Sequence, residues 1–332
     1  MKQRLLLFIT TLMLCMGARA TIFQVIDGLK YIIYTDHNYA VLTGNNYTQK
    51  KIVIPASITR EGKKYPVTEL GAECFSSCYS LTSVTIPSSV TSLGNSCFRY
   101  CTNLTSITIP SSVTSLGDEC FSNCSSLTSI TIPSSVTSLE WGCFRYCSSL
   151  ASITIPSSVT SLGHECFDGC SSLTSITIPS SVTSLGRGCF DGCSSLTSIT
   201  IPSSVTSLGE SCFSGCENLY SVNIQSPKIE LGYGCFARTI ITDFTIMATT
   251  PPTISDACFN RCSIDRAKLM VPKASVSSYK NAKVWKSFGT IVSVDGEEVA
   301  VECEKPSISY VSGKLKFGCQ TTGAEYHYPS SG

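Results

Sequence analysis

The 332-residue chain has little charge, little histidine and no long apolar run. Charged residues make up only 14% of it and the net charge is +1, so neither a basic surface for nucleic acid nor a polybasic segment for a membrane is predicted. No segment reaches the roughly 20 apolar residues that a membrane span needs. The three histidines, His37, His164 and His327, are scattered, and no phosphate-binding loop or metalloprotease motif is present. We therefore predict no enzyme activity, cofactor or metal site.

The first twenty residues have the composition of an export signal. Lys2 and Arg4 precede a short apolar run, and a small-x-small cleavage site ends at Ala20. This pattern predicts a secreted or cell-surface protein whose signal peptide is residues 1–20. A lipoprotein anchored through Cys15 is the alternative, but it is disfavoured because Leu14 is large where a small residue is required.

One 23-residue unit repeats along most of the chain. A full unit is LTSITIPSSVTSLGDECFSNCSS. Its Cys-Phe pairs begin at Cys74, Cys97, Cys120, Cys143, Cys166, Cys189, Cys212, Cys235 and Cys258. A period of this length lies within the leucine-rich-repeat range, in which each unit forms one coil of a solenoid.

The sequence of each unit predicts one short strand, followed by a segment that leads the chain back to the start of the next strand, which we call the return segment. In one copy, Ile130 and Ile132 alternate with Thr131, as expected of a strand with one buried face. Pro133 should end that strand, because proline has no N–H to donate to a sheet.

The return segment of each unit predicts a helical turn. Cys143, Cys147 and Leu150 are separated by four and three residues, a spacing that places them on one helical face. A single coil cannot bury this face, whereas stacked coils bury it against each other.

The unit L-x-x-I-x-I-P-x-x-V-x-x-L-G-x-x-C-F-x-x-C resembles the BspA-like leucine-rich-repeat family. Residues 54–71 resemble the family's entry repeat, with an insertion at 59–64, and residues 251–288 resemble its closing segment. The likeness covers roughly residues 22–294. Two departures are that the family often has Ala at the first Cys, and that Ser135 and its equivalents replace the Asn ladder of many other leucine-rich repeats.

The expected fold is an α/β solenoid. The resemblance implies a right-handed leucine-rich-repeat superhelix with short parallel strands on the concave face and short helical turns on the convex face. The expected segments are a signal peptide at 1–20, a strand-rich N-terminal cap at 21–50, about nine coils at 51–268, a C-terminal cap with a helix at 269–294, and a linker with the start of an incomplete β-sandwich-like module at 295–332.

The repeat cysteines have three interpretations. Structural zinc needs closed sets of four ligands, which these apolar, histidine-free surroundings do not offer. Disulfides suit an oxidising compartment, but residues four apart on a helix or equivalent on adjacent coils are too far apart for an S–S bond. The sequence favours buried structural thiols, represented by Cys97, Cys101, Cys120, Cys124, Cys143, Cys147, Cys166, Cys170, Cys189 and Cys193. Cys303 and Cys319, which flank a predicted C-terminal hairpin, are candidates for a disulfide.

Two surfaces are candidates for binding. Outward strand positions should form two hydroxyl columns on the concave face, which include Ser106, Thr108, Ser129, Thr131, Ser152, Thr154, Ser175 and Thr177. The convex side or rim carries Arg99, Tyr100, Arg145 and Tyr146, residue types that are enriched at binding hot spots. The competing interpretation is that these four are ordinary solvated positions.

The sequence favours an exported, non-enzymatic interaction protein. The resemblance implies a surface location and adhesin-type binding of matrix proteins or other microbes. The partner would be an extracellular protein or a repetitive polymer. A structural spacer that displays the C-terminal module is one alternative, and an ice-binding hydroxyl array is a weaker one.

Overall fold

Stacked coils form the body of the protein. The computed structural model describes residues 21–45, 48–295, 307–311 and 314–318. Within these ranges the chain forms a β-solenoid of about eleven turns with stacked parallel strands. The predicted signal peptide, Cys15, Cys303 and Cys319 lie outside the described residues.

The first row of strands is built from the S-I-T-I segment of each unit. Its strands are Lys51–Val53, Ser83–Thr85, Ser106–Thr108, Ser129–Thr131, Ser152–Thr154, Ser198–Ile201, Ser221–Ile224, Asp243–Ile246, Lys268–Val271 and Thr290–Ser293. They form two parallel five-stranded sheets, separated by a coil whose residues 175–177 have no assigned strand. Adjacent strands pair in register, so that Thr131 lies between Thr108 and Thr154.

A second row of shorter strands forms another wall. Its members are Lys63–Leu70, Ser92–Leu93, Ser115–Leu116, Ser138–Leu139, Ser161–Leu162, Ser184–Leu185, Ser207–Leu208 and Glu230–Leu231. In most of them a leucine faces the core while the preceding serine is only partly buried.

The third wall consists of turns, which corrects the predicted helical convex face. Ser96 and Tyr100, which precede the two cysteines of one pair, have φ values of 55° and 60°, whereas an α-helix requires φ near −63° throughout. Alternate N–H groups therefore point to the next coil: Phe98 donates to the carbonyl of Cys120 at 2.8 Å. An α-helix and these turns both point a residue towards the core every four positions. The sequence pattern therefore did not distinguish a helix from turns. The right-handed coiling stays a prediction.

Identical core residues stack on one another between the walls. The rings of Phe75, Phe98, Phe121, Phe144, Phe167, Phe190, Phe213 and Phe236 lie parallel, with centroids 5.2–5.6 Å apart. The flanking cysteines and leucines are equally buried. The core is therefore a set of columns that run along the stack.

An antiparallel sheet covers the N-terminal end. Its strands are Thr21–Ile26, Leu29–Tyr34 and Tyr39–Gly44, the last of which pairs in parallel with Lys63–Leu70. Ser57–Arg60 forms a hairpin with the same strand and accounts for the insertion in the entry repeat. The amide nitrogen of buried Asn45 lies 3.2 Å from the sulfur of Cys78 and so supplies a polar contact to the first coil.

The C-terminal end adds an eleventh strand position, where the sequence predicted about nine coils. The coil that leads to Thr290–Ser293 contains helix α1 (Val276–Asn281) instead of a Cys-Phe turn. Helix α1 ends where Ala282 becomes extended, within the range 269–294 in which the sequence placed a helix. Four 3₁₀ helices lie in this region: Asp256–Phe259, Ile264–Arg266, Lys273–Ser275 and Trp285–Ser287.

Trp285 closes the core at the C-terminal end. Its ring packs against Phe244, Phe259 and Phe288, and its Nε1 donates to the carbonyl of Pro252 at 2.8 Å. Farther along the chain, Ser307–Val311 and Lys314–Gly318 pair antiparallel as a hairpin.

Glu140 interrupts the second row of strands. The other described copies from Leu70 to Leu231 have glycine after the leucine, and a Cβ built on Gly117 would lie 2.5 Å from the backbone N of Asn95. Gly117 and Gly163 donate to the carbonyls of Leu93 and Leu139, but within the described coils Glu140 makes no such bond to Leu116. The sheet ends at Ser115–Leu116 and resumes at Ser138–Leu139. The Cβ of Glu140 prevents the backbones of these two coils from approaching as closely as they do elsewhere. The strands Ser115–Leu116 and Ser138–Leu139 are therefore not paired.

We expect Glu140→Gly to raise the stability of the protein. Closing the wall would form the backbone bonds from the glycine at position 140 to Leu116 and from Thr137 to Thr114, each worth about 0.5–1.5 kcal/mol. Their sum exceeds the roughly 0.5–1 kcal/mol that a glycine costs in backbone entropy. The urea midpoint should rise, whereas Gly163→Glu, the matched control, should lower it by opening a second step. A lower midpoint for Glu140→Gly would contradict this explanation.

Candidate binding surface on the strand face

The outward side chains of the first row form a uniform surface, which we call the strand face. From residue 106 to residue 200 its outward positions are Ser106, Thr108, Ser129, Thr131, Ser152, Thr154, Ser175, Thr177, Ser198 and Thr200, all exposed. The copies from Ser106 to Thr154 are in register, at the spacing of parallel strands, about 4.8 Å. The structure therefore brings the predicted hydroxyl columns together on one side of the stack.

The hydroxyls of the strand face make no hydrogen bond within the described chain, whereas the hydroxyls of another serine column do. Ser112 and Ser158 donate to the valine carbonyls of the preceding coil, Val90 and Val136, at 2.6 Å. Ser135 makes the equivalent bond, so a serine ladder occupies the place of the missing Asn ladder. The described structure contains no comparable bond for the ten strand-face hydroxyls, which leaves their donors and acceptors for solvent or a ligand.

The groups that the strand face presents between residues 106 and 200 are hydroxyls, which can both donate and accept hydrogen bonds. From Ser106 to Thr154 each of its hydroxyls has only other hydroxyls beside it in register, whereas Thr200 lies opposite Asn223. A hydroxyl needs an adjacent base to act as a nucleophile. His164, which lies on the turn wall, accepts the backbone N–H of Arg187 on Nδ1 at 2.8 Å. This histidine is therefore engaged in holding two coils together.

The two Arg-Tyr pairs predicted as contacts are engaged within the protein. Arg145 donates through Nε to Asp168 at 2.8 Å and contacts Glu165 through Nη1 at 3.2 Å, while its guanidinium lies 4.8 Å from the ring centre of Tyr146. Burial raises the pKa of Asp168 above its ordinary value, and the hydrogen bond from Arg145 opposes that shift. Arg145 therefore ties its own coil to the next.

Arg99 is held in a similar way, by Glu119 at 2.8 Å and by the face of the Tyr100 ring at 5.0 Å. Each pair has its own partners, and the two pairs lie two coils apart in the stack. These contacts make both arginines inter-coil clamps, while the rings of Tyr100 and Tyr146 keep part of their surface in solvent.

A family model described as the BspA type leucine-rich repeat region matches six copies, over residues 68–163 and 137–265. The chain belongs to this family. No curated protein sequence matches it.

Solved leucine-rich-repeat structures share the fold of this BspA-type chain. A leucine-rich-repeat protein from Bacteroides ovatus is 26% identical, with a TM-score of 0.67, over 82% of this chain and 76% of that one. A leucine-rich cell surface protein from Faecalibacterium prausnitzii is 24% identical, with a TM-score of 0.57, over 82% of this chain and 95% of that one. In the described part of this chain, no helix is both long enough and apolar enough to span a membrane.

The cysteines of the BspA-type repeats form two buried columns of free thiols. Of the seventeen described cysteines, only Cys262 is partly exposed. Six second-position thiols donate to phenylalanine carbonyls of the preceding coil at 3.1–3.2 Å: Cys101 to Phe75, Cys124 to Phe98, Cys147 to Phe121, Cys170 to Phe144, Cys193 to Phe167 and Cys216 to Phe190. Burial raises the pKa of the first-position thiols of Cys120, Cys143 and Cys166, and that of Cys258 to about 12.

The sequence pattern did not distinguish hydroxyls that are hydrogen-bonded within the protein from those that are not. Ser129 and Ser135 belong to the same unit, and both recur in every full copy. Only the position of the preceding coil shows that Ser135 meets a carbonyl whereas Ser129 faces outward. The proline that precedes Ser135 was the available signal, because it ends the strand before that serine.

We expect the repeat thiols to be protected in the folded protein and reactive once it unfolds. At pH 8, iodoacetamide should label few cysteines of the native chain, because burial keeps them neutral and inaccessible. In urea without reductant, mass spectrometry should show nearly every repeat cysteine labelled. If most repeat cysteines resist labelling in urea until a reductant is added, they are disulfide-bonded and the thiol interpretation is wrong.

We also expect an unusually steep loss of stability at alkaline pH. Burial raises the folded-state pKa of thiols such as those of Cys120, Cys143 and Cys166 above the unfolded value of about 8.5, so these neutral thiols stabilise the fold fully below that pH. As pH rises further, the unfolded chain loses protons first, and each buried thiol reduces the free energy of unfolding by about 1.4 kcal/mol per pH unit. Urea midpoints measured from pH 7 to 10 should fall sharply above pH 8.5; a flat profile would contradict free thiols.

Proposed function

We propose that this protein is an exported, non-enzymatic interaction protein that attaches at cell surfaces through its strand face, in the manner of an adhesin. The observation that carries the proposal is the set of ten exposed hydroxyls without partners in the described chain, six of which, from Ser106 to Thr154, are in register on adjacent strands. The Faecalibacterium protein of the same fold is described as a cell surface protein, which supports the location, as do the signal-like residues 1–20.

Binding would rest on many weak contacts. Each strand-face hydroxyl contributes a hydrogen bond worth about 0.5–1.5 kcal/mol, and no position between 106 and 200 differs in kind from its neighbours. A repetitive partner, such as an extended extracellular polymer or a regularly patterned matrix protein, matches a surface with a repeat of about 4.8 Å. Affinity would then come from several coils and from multivalent display.

We expect binding to decline stepwise as coils are removed. Deleting residues 173–195 removes one complete unit and rejoins Ser172 to Leu196, which preserves the repeat sequence. Losing two hydroxyl contacts should weaken binding to plates coated with extracellular matrix extract or microbial envelope polysaccharide by about fivefold or more per coil. Deleting residues 150–195 should weaken it further, with circular dichroism as the check on folding.

Point variants and a truncation provide the controls. Thr131→Ala should reduce binding by less than about tenfold, because one hydroxyl among many is lost. A chain that ends at residue 295 should keep full binding, whereas a spacer that displays the C-terminal module would lose all of it. Abolition of binding by Thr131→Ala in a folded protein, or the absence of binding to every coated surface, would refute the proposal.

A further inference from the structure

The strand face changes character at its C-terminal end. Beyond Thr200, the first outward column continues as Ser221, Asp243, Lys268 and Thr290, and the second as Asn223, Thr245, Met270 and Val292. Hydroxyls thus give way to an amide, a carboxylate and an ammonium group on adjacent strands of one sheet. Such differentiated side chains can select a ligand, which a uniform hydroxyl surface cannot do.

Tyr220 adds an aromatic surface beside these groups. It precedes Ser221, at the position that Thr174 and Thr197 occupy in earlier coils, and 46% of it is exposed. Its carbonyl accepts the backbone N–H groups of Thr242 and Asp243 at 2.9 and 3.0 Å, which fixes its backbone next to Asp243. A tyrosine side chain has only two torsions to order, so it offers an apolar contact surface at low cost in conformational entropy.

The polar groups of this cluster are largely uncommitted. Asp243 accepts one hydrogen bond, from the hydroxyl of Thr242 to Oδ2 at 2.8 Å. Lys268 lies opposite Asp243 in register, yet the described residues provide no ion pair for it, and none of them bonds to the amide of Asn223. A carboxylate accepts, an ammonium donates and an amide does both, so the cluster offers every kind of hydrogen-bonding group.

Charge favours an acidic ligand. Residues 256–295 contain seven basic and three acidic side chains, whereas residues 104–217 contain two basic and eight acidic ones. An anionic group would therefore be attracted towards the Lys268 end of the strand face and repelled by the coils before it. Asp243 would disfavour a fully anionic chain such as nucleic acid, but it can accept hydrogen bonds from hydroxyl groups.

We propose that Tyr220, Asn223, Asp243 and Lys268 form a binding site for an acidic oligosaccharide. Its sugar units would carry carboxylate groups as well as neutral hydroxyl groups. The tyrosine ring would pack against a sugar ring, Asn223 and Asp243 would bond its hydroxyls, and Lys268 would pair with a carboxylate. An open sheet has no deep apolar pocket of the kind that anchors a protein hot spot, which favours a sugar over a polypeptide. The site deepens the proposed function and rests on it, because it names the ligand class that an attachment surface would select.

Reversion to the repeat residue provides a test that leaves the solenoid pattern intact. The variants are Tyr220→Thr, Asn223→Thr, Asp243→Ser and Lys268→Ser, each of which places the residue found at that position in other coils. Tyr233→Ser is the matched control, because Tyr233 is an exposed tyrosine (62%) on the turn wall. The probes are immobilised hexagalacturonate and hyaluronan hexasaccharide, with cellohexaose and chitohexaose as neutral counterparts, all measured with the full chain.

We expect the full chain to bind at least one acidic hexasaccharide more tightly than either neutral one, with binding that weakens in 0.5 M salt. Tyr220→Thr and Lys268→Ser should each lower the affinity roughly tenfold or more, as removal of a central contact does, whereas Tyr233→Ser should leave it within about twofold. No binding of the acidic probes at millimolar concentration, or equal binding by the reverted variants, would overturn the site. So would Tyr220-dependent binding to a matrix protein with none to the saccharides.

Failure of the oligosaccharide site can be distinguished from failure of the proposed function. If the site is wrong, the reverted variants still bind coated surfaces and coil deletion still weakens that binding. If the proposed function is wrong, the full chain binds none of the coated surfaces.

Discussion

Neighbouring coils are hydrogen-bonded to each other along three walls, at the separation of two strands, about 4.8 Å. At that separation each position of the unit faces its own copy in the next coil, so only side chains that tolerate contact with themselves can occupy it. Phenylalanine does so by stacking its rings, with centroids 5.2–5.6 Å apart. Serine does so by donating to a carbonyl of the preceding coil, as Ser112 does. Glycine does so because it has no Cβ. The near-identity of the copies follows from this constraint.

The same constraint explains what a single departure does. Glu140 replaces glycine in one column, and the second row of strands separates at that step while the first row and the turn wall stay paired. A stack with three hydrogen-bonded walls can lose contact along one of them locally, because each coil contacts only its neighbours. Thr239 is a milder departure: its buried hydroxyl takes the place of the second thiol, but it bonds the carbonyl of Phe236 in its own coil at 2.8 Å instead of one in the preceding coil.

The stacking of the coils also explains why the side chains of the turn wall contribute to stability, whereas those of the strand face are available for binding. The turn wall varies most among copies, yet several of its charged residues pair between coils, as the contacts of Arg99 with Glu119 and of Arg145 with Glu165 and Asp168 show. The strand face varies least, and its hydroxyls have no such role in the described chain. Departures from hydroxyls on the strand face lie at its two ends, with Lys51 and Val53 on the first strand and Asn223, Asp243 and Lys268 near the last. Variability alone would therefore have pointed to the less available surface.

Much of the architecture follows from the sequence by itself. The 23-residue period, the strand of Ile130, Thr131 and Ile132, and the inward columns of Cys143 and Cys147 depend only on which residue types recur at which spacing. A repeat of that period buries its apolar residues by stacking, whatever the details of the return segment.

Only the tertiary structure decided which groups meet across coils. The four-residue spacing of the cysteines fits a helix and a series of turns equally well, and the positive φ values before each cysteine select the turns. The partners of Arg145, 20 and 23 residues later in the chain, come within reach only because they lie in the next coil. Ser129 and Ser135 differ only in what the preceding coil presents to them. Hydrogen bonds between coils join residues about 23 positions apart, so the pattern within a single unit does not contain them.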